Sequence, residues 1–200
     1  MKLFWTGTDT LMLLDLSQRK LLKKPYWLIF RIIVKILDRF CIEGHFTNSE
    51  LLKRDLQKFG VKKPIEIHQT PLLHSEAYPK IRHDGFNVLY YCPPRSDPKF
   101  RDWLYGIDLI RKLKKALPQI NFFCADKSLD MAEVYPLMDF YIRPNRHDGN
   151  SRMIRECEIQ NIAYYWSNEN PDYFEMTQAI EDEYRRKLIN EAIRKVEGLS

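Results

Sequence analysis

Asp139-Phe140-Tyr141-Ile142-Arg143-Pro144-Asn145-Arg146-His147-Asp148-Gly149-Asn150-Ser151-Arg152 reads as a short apolar strand that runs into a polar loop and then opens a helix through Gln160. The same alternation extends outward from it. Upstream lie strand Val88-Leu89-Tyr90-Tyr91, a helical pattern from Phe100 to Leu117, strand Asn121-Phe122-Phe123-Cys124 and a short helix near Met131 to Leu137. Downstream lie strand Ala163-Tyr164-Tyr165-Trp166 and a last helix from about Pro171 to Val196. Short apolar strands alternating with amphipathic helices predict βαβ units with right-handed crossovers, so the expected fold class is α/β: a Rossmann-like parallel sheet with helices on both faces, over residues 85–200.

In such a sheet ligands bind beyond the carboxyl ends of the strands, which directs attention to the loops 92–100, 125–129, 143–150 and 167–171. The third is the richest. Gly149 lets backbone approach a ligand, Asn150 or Ser151 can cap the following helix, and a helix N-terminus with free N–H groups attracts phosphate. Arg143, Arg146 and Arg152 add positive charge, and Glu156, a little over one turn inside the helix, is placed to accept ribose hydroxyl bonds. A well-capped solvent loop with three ordinary surface arginines fits the same residues. In the first loop, Arg95 and Lys99 stand where two cations can clamp a diphosphate. No G-x-G-x-x-G, Walker A lysine or G-x-S-x-G elbow occurs, and no Asp-x-Asp or helical His pair marks a metal site, so neither metal nor cofactor is expected.

The N-terminal 80 residues read as mainly helical. Pro25 stands in the first turn of a helix to Phe40 in which Arg31, Lys35 and Arg39 form one thin polar stripe and nearly everything else is apolar. It is too short and too charged for a membrane span. A core helix covered on most sides, or a helix at a membrane surface with Arg19, Lys20, Lys23 and Lys24 meeting anionic headgroups, are the two readings. Phe46-Thr47 ends a short strand, Asn48 or Ser49 caps a helix through Phe59, and Gly60 closes it; Ile65 to His68 is another short strand, and Ser75 to Gly85 is the one linker candidate. The balance of 44% hydrophobic and 30% charged residues over 200 residues excludes wholesale disorder. A net charge of +5 favours anionic partners without reaching the density of a nucleic-acid-coating protein, so no nucleic acid is expected. Cys41, Cys92, Cys124 and Cys157 form no C-x-x-C pair and read as reduced, buried thiols of a cytoplasmic chain.

Residues 135–167 resemble the donor-binding signature of retaining GT-B glycosyltransferases, the glycosyltransferase family 4 group. Pro144 ends the strand, Asp148 and Gly149 form the acidic-Gly pair, and Glu156 is the second acidic residue, eight positions after the first. Phe46 to Leu56 with Gly60 resembles the segment closing that family's N-terminal domain, and Trp5-Thr6-Gly7-Thr8-Asp9 resembles a turn seen earlier in it. Three departures stand out: most of the acceptor-binding N-terminal domain has no counterpart, the usual Lys-Gly is Tyr105-Gly106, and the Gly-x-Pro before the last strand is Asn161-Ile162-Ala163.

The resemblance implies transfer of a sugar, with retention, from a nucleotide-diphosphate donor to a glycan or lipid-linked acceptor, as in polysaccharide biosynthesis. It implies that Asp148, Arg95 and Lys99 are catalytic, and that Gly149, Asn150, Ser151, Glu156 and Arg146 hold the donor. A catalytically inactive nucleotide-sugar-binding or regulatory subunit, and an α/β interaction module without a small ligand, are the alternatives. A homodimer, a separate acceptor-domain protein or peripheral membrane contact would then cover the apolar N-terminal helix.

Overall fold

In a computed structural model, which describes residues 1–5, 8–14, 24–94, 97–126 and 128–197, the chain is an α/β protein with two parallel sheets. It divides into two units: 1–71 together with 147–152, and 72–146 together with 153–200. The boundary therefore falls at 71/72 rather than at 80/85, and the loop leaving the strand at Pro144 counts with the first unit.

The first unit, expected to be mainly helical with two short strands, carries a three-stranded sheet of its own. Strands β1 (Lys2–Phe4), β2 (Gly44–Thr47) and β3 (Ile65–Ile67) pair in parallel in that order, with Leu3 beside His45 and His45 beside Ile65. Helices α1 (Thr8–Leu14), α2 (Lys24–Phe40) and α3 (Glu50–Phe59) accompany it. α3 begins where Ser49 Oγ accepts the Leu52 N–H and ends at Gly60, whose φ of 90° lets its N–H reach back to Leu56 and Gln57. Trp5, Leu13, Val34, Leu56 and Phe59 form the core. A polar chain threads it. The Trp5 indole N–H donates to His45 Nδ1 at 2.9 Å, which leaves the proton on Nε2 to donate to Asp38 at 2.9 Å. Asp38 also accepts the backbone N–H groups of Lys62 and Lys63, so every group in this buried chain is satisfied.

α2 is not covered on most sides. Val34 is buried and Phe30 packs on the core, while Tyr26, Ile29, Ile33, Ile36 and Phe40 are exposed. Arg19, Lys20 and Lys23 lie outside the described residues, as do Thr6 and Gly7. Among the described residues no helix is long and apolar enough to cross a membrane.

The second unit holds strands β4 (Asn87–Tyr91), β5 (Asn121–Ala125), β6 (Phe140–Pro144) and β7 (Ala163–Ser167), all parallel, in the order β5-β4-β6-β7. The stretch Phe100 to Leu117, expected as one helix, is two: α4 (Pro98–Leu104) and α5 (Ile107–Ala116). Gly106, at φ 62°, makes the break, and the Pro144 carbonyl and ring sit against its Cα where any side chain would collide. Helices α6 (Met131–Val134), α7 (Arg152–Ile159) and α8 (Tyr173–Val196) complete the described set, with a 3₁₀ turn over Tyr135–Leu137. Leu89, Tyr135, Tyr141, Ile154 and Cys157 lie in its core.

The segment 75–85 is no free linker. Gln160 accepts the Tyr78 N–H at 2.8 Å and donates to the Glu76 carbonyl at 2.7 Å, while Lys80 Nζ donates to the Met138 carbonyl and the Ile81 N–H reaches Pro136. Of the four cysteines only Cys157 is buried, and burial pushes its thiol well up; Cys41 and Cys124 are exposed and Cys92 is half-buried.

Candidate functional site

Going outward from β4 the second sheet places β5 at one edge, and the chain then returns to lay β6 against the other side of β4. The direction of winding thus reverses between β4 and β6, where an open parallel sheet forms a crevice beyond its carboxyl ends. The loops leaving that point are those after Tyr91 and after Pro144. Asp97 caps α4 by accepting the Phe100 N–H, and Lys99 is exposed in its first turn. Arg95 lies outside the described residues.

Arg146 is committed elsewhere. Its guanidinium grips Asp108 through two bonds of 2.8 and 2.7 Å and also donates to the Trp103 carbonyl, while its backbone N–H bonds Leu104. Partial burial raises the Asp108 carboxyl, but the Arg146 fork outweighs it and holds the group below its ordinary value. Arg146, expected to hold the donor, thus staples the loop to the α4–α5 junction. Arg143 lies over the Tyr91 ring, 5.4 Å from its centroid, and donates to Tyr141 OH. Arg152 is exposed.

Glu156 is likewise an internal strut. Only 3% exposed, its carboxylate accepts the Leu73 N–H at 3.0 Å on one oxygen and Tyr135 OH at 2.7 Å on the other. Burial and this bond push the Tyr135 phenol far above its usual value, so it remains a donor. Glu156 on α7 and Gln160, four residues on and just past the helix end, together hold the segment 73–78 in place. Both carboxylate oxygens of Glu156, expected to meet ribose, thus carry a bond within the second unit.

The loop His147–Arg152 belongs to the first unit. His147 Nε2 lies 2.6 Å from Asp55 Oδ2, which also accepts Thr10 Oγ1 at 3.3 Å. Gly149 packs against the Asn48 carboxamide, whose oxygen occupies the space a Cβ would need. Asp148 is nearly buried and Asn150 half-buried. Ser151 does not cap α7: its hydroxyl is buried with no hydrogen-bond partner. Asn48 Oδ1 and His147 Nδ1 are in the same condition. A buried polar atom without a partner costs about 1–3 kcal/mol, and these three lie in and against one loop. The sequence offered Ser151 and Gly149 but no hint of His147, Asn48 or Asp55, whose roles depend on contacts across most of the chain.

Among the described residues no cluster of His, Cys, Asp and Glu is built to hold a metal ion. A cavity of about 520 Å³ in the second unit is lined by Lys80, Arg82, His83 and Lys187, among others, beside Asp139, which pairs with Lys187 at 3.0 Å. It abuts Phe86, Asp139 and Asn161, at the amino ends of the strands and so away from the winding reversal. No protein-family model matches this chain. Nor does any curated protein.

Proposed function

We propose that this chain is a glycosyltransferase-like protein of the GT-B kind that binds a nucleotide-diphosphate sugar, with the loop His147–Arg152 contacting the donor. The observation that carries the reading is the set of buried, unpartnered polar atoms on His147, Ser151 and Asn48, in and against the loop that leaves β6. A phosphate oxygen would accept from Ser151 Oγ, and a sugar hydroxyl would donate to Asn48 Oδ1. The strand order β5-β4-β6-β7 supports a Rossmann-like second unit, and the spacing of Asp148, Gly149 and Glu156 supports the family.

In the reaction, the anomeric C–O bond to the diphosphate breaks as a bond to an acceptor hydroxyl oxygen forms on the same face. The acceptor proton leaves with the diphosphate oxygen. Asp148 takes the role the resemblance gives it, steadying the positively charged ring. The engagement of Arg146 with Asp108, and of Glu156 with Leu73 and Tyr135, favours a second reading: a binding subunit that holds the donor without turning it over.

Calorimetric titration with uridine and guanosine diphosphates, with and without chelator, tests the proposal. The expected result is metal-independent binding of one of them, weakened at least tenfold by Ser151→Ala with folding unchanged. Failure of both nucleotides to bind overturns it. Release of free sugar or transfer product from the bound donor separates the enzyme from the binding subunit.

A further inference from the structure

Helix α2 presents three faces. One, with Phe30 and Val34, packs into the first unit. A second is cationic: Arg31 and Lys35 lie over the Phe59 ring at 5.9 and 5.2 Å, and Arg39 follows one turn on. The third is apolar and open, with Tyr26, Ile29, Ile33, Ile36 and Phe40 recurring every three or four residues; Ile29 is 57% and Phe40 74% exposed. A stripe of this kind on a folded surface needs an occupant.

The charge beside it identifies that occupant. Lys35, Arg39, Lys62 and Lys63 line a cavity of about 420 Å³ next to α2. The one carboxylate in its lining, Asp38, is buried and already holds His45 and the backbone of Lys62 and Lys63. α2 itself has no other acidic residue. A second copy of this helix would thus bring apolar surface to the stripe but no anions to the cations. A bilayer carrying anionic lipid offers both: acyl chains for the isoleucines, and phosphates for the ammonium and guanidinium groups.

We propose that α2 is a membrane-interface helix, with its apolar face in an anionic leaflet and the cavity formed by Lys35, Arg39, Lys62 and Lys63 taking a lipid phosphate. The proposal is independent of any sugar chemistry at the loop His147–Arg152.

Flotation of the full chain with vesicles of phosphatidylcholine alone, or with 30% phosphatidylglycerol, tests it. The expected result is binding to the anionic vesicles at least tenfold tighter than to neutral ones, falling at least tenfold when salt is raised from low to high. Ile29→Ser with Ile33→Ser and Ile36→Ser, all at exposed positions that leave the core intact, should abolish it. Lys35→Gln with Arg39→Gln and Lys62→Gln should bring the anionic vesicles down to the neutral level, with circular dichroism confirming that both variants fold. A chain that stays unbound on anionic vesicles overturns the proposal. So does a concentration-dependent dimer that the isoleucine changes dissolve while leaving flotation untouched.

Discussion

His147 and Asp55, 92 positions apart, meet at 2.6 Å in the first unit with both side chains almost wholly buried. The pair draws a loop from the C-terminal half of the chain onto α3, and Thr10 adds a second hydrogen bond to the same carboxylate oxygen. Removing the carboxylate takes a hydrogen-bond partner from a buried imidazole and from a buried hydroxyl. Asp55→Ala should therefore destabilise the chain by about 1.5–3 kcal/mol, the range for a hydrogen bond to a charged group. Urea unfolding followed by circular dichroism reads this directly, and a midpoint shift worth under about 0.5 kcal/mol, the size typical of a surface change, would show the contact to be incidental.

Gly106 and Gly149 separate two kinds of glycine requirement. Gly106 needs both its positive φ and the space against the Pro144 backbone. Gly106→Ala should cost about 2–3 kcal/mol, because left-handed strain and a backbone collision coincide. At Gly149 the obstacle is the end of the Asn48 side chain, which has no hydrogen bond holding it and can rotate. Gly149→Ala should cost only about 1 kcal/mol, at the low end for overpacking, and less still alongside Asn48→Ala. Equal losses at the two glycines, or no relief from Asn48→Ala, would contradict this account.

Glu156→Ala removes the acceptor for one backbone N–H and one buried phenol. The expected loss is about 2–4 kcal/mol, with Glu156→Gln milder because it keeps one acceptor oxygen. Hydrogen exchange adds a local signature: the Leu73 amide should exchange faster in the alanine variant, with the Tyr78 amide, held by Gln160, following to a lesser degree. Weakened nucleotide affinity with an unmoved unfolding midpoint would return Glu156 to the ligand-contacting role that the motif spacing suggested.

The features legible in the sequence are local ones. Asn48-Ser49-Glu50 ahead of an apolar pattern and Gly60 after it set the ends of α3, and the four apolar runs set β4 to β7, because caps and periodicity act within a few residues. The break at Gly106 was obscured because Phe100, Leu104, Ile107 and Ile110 keep a helical period straight across it. Arg146 and Glu156 fitted a ligand-binding motif by spacing alone. Their actual partners, Asp108 and the Leu73 backbone, lie 38 and 83 positions away, and no sequence period encodes such distances. In the first unit β2 and β3 were legible as short runs, whereas Lys2–Phe4 becomes a strand only by pairing with Gly44–Thr47.

Asp38 gives the first unit a defined response to acid. Burial pushes its carboxyl up, but the bonds from His45 and from the Lys62 and Lys63 N–H groups together hold it below its ordinary value. A carboxylate whose folded value is depressed contributes stability above its unfolded value of about 3.9, and that contribution is lost as pH falls through the lower folded value. Asp38→Asn keeps the shape without the charge, so it should lack this contribution at every pH. The difference in urea midpoint between the parent chain and the variant is therefore expected to be largest near pH 6 and to shrink as pH drops from about 5 to 2.5. Taking the difference cancels the other paired carboxylates, Asp102 and Asp108, which titrate alike in both proteins. A gap that stays constant down to the lowest pH would mean that the three hydrogen bonds to Asp38 do not discriminate between its charged and neutral forms.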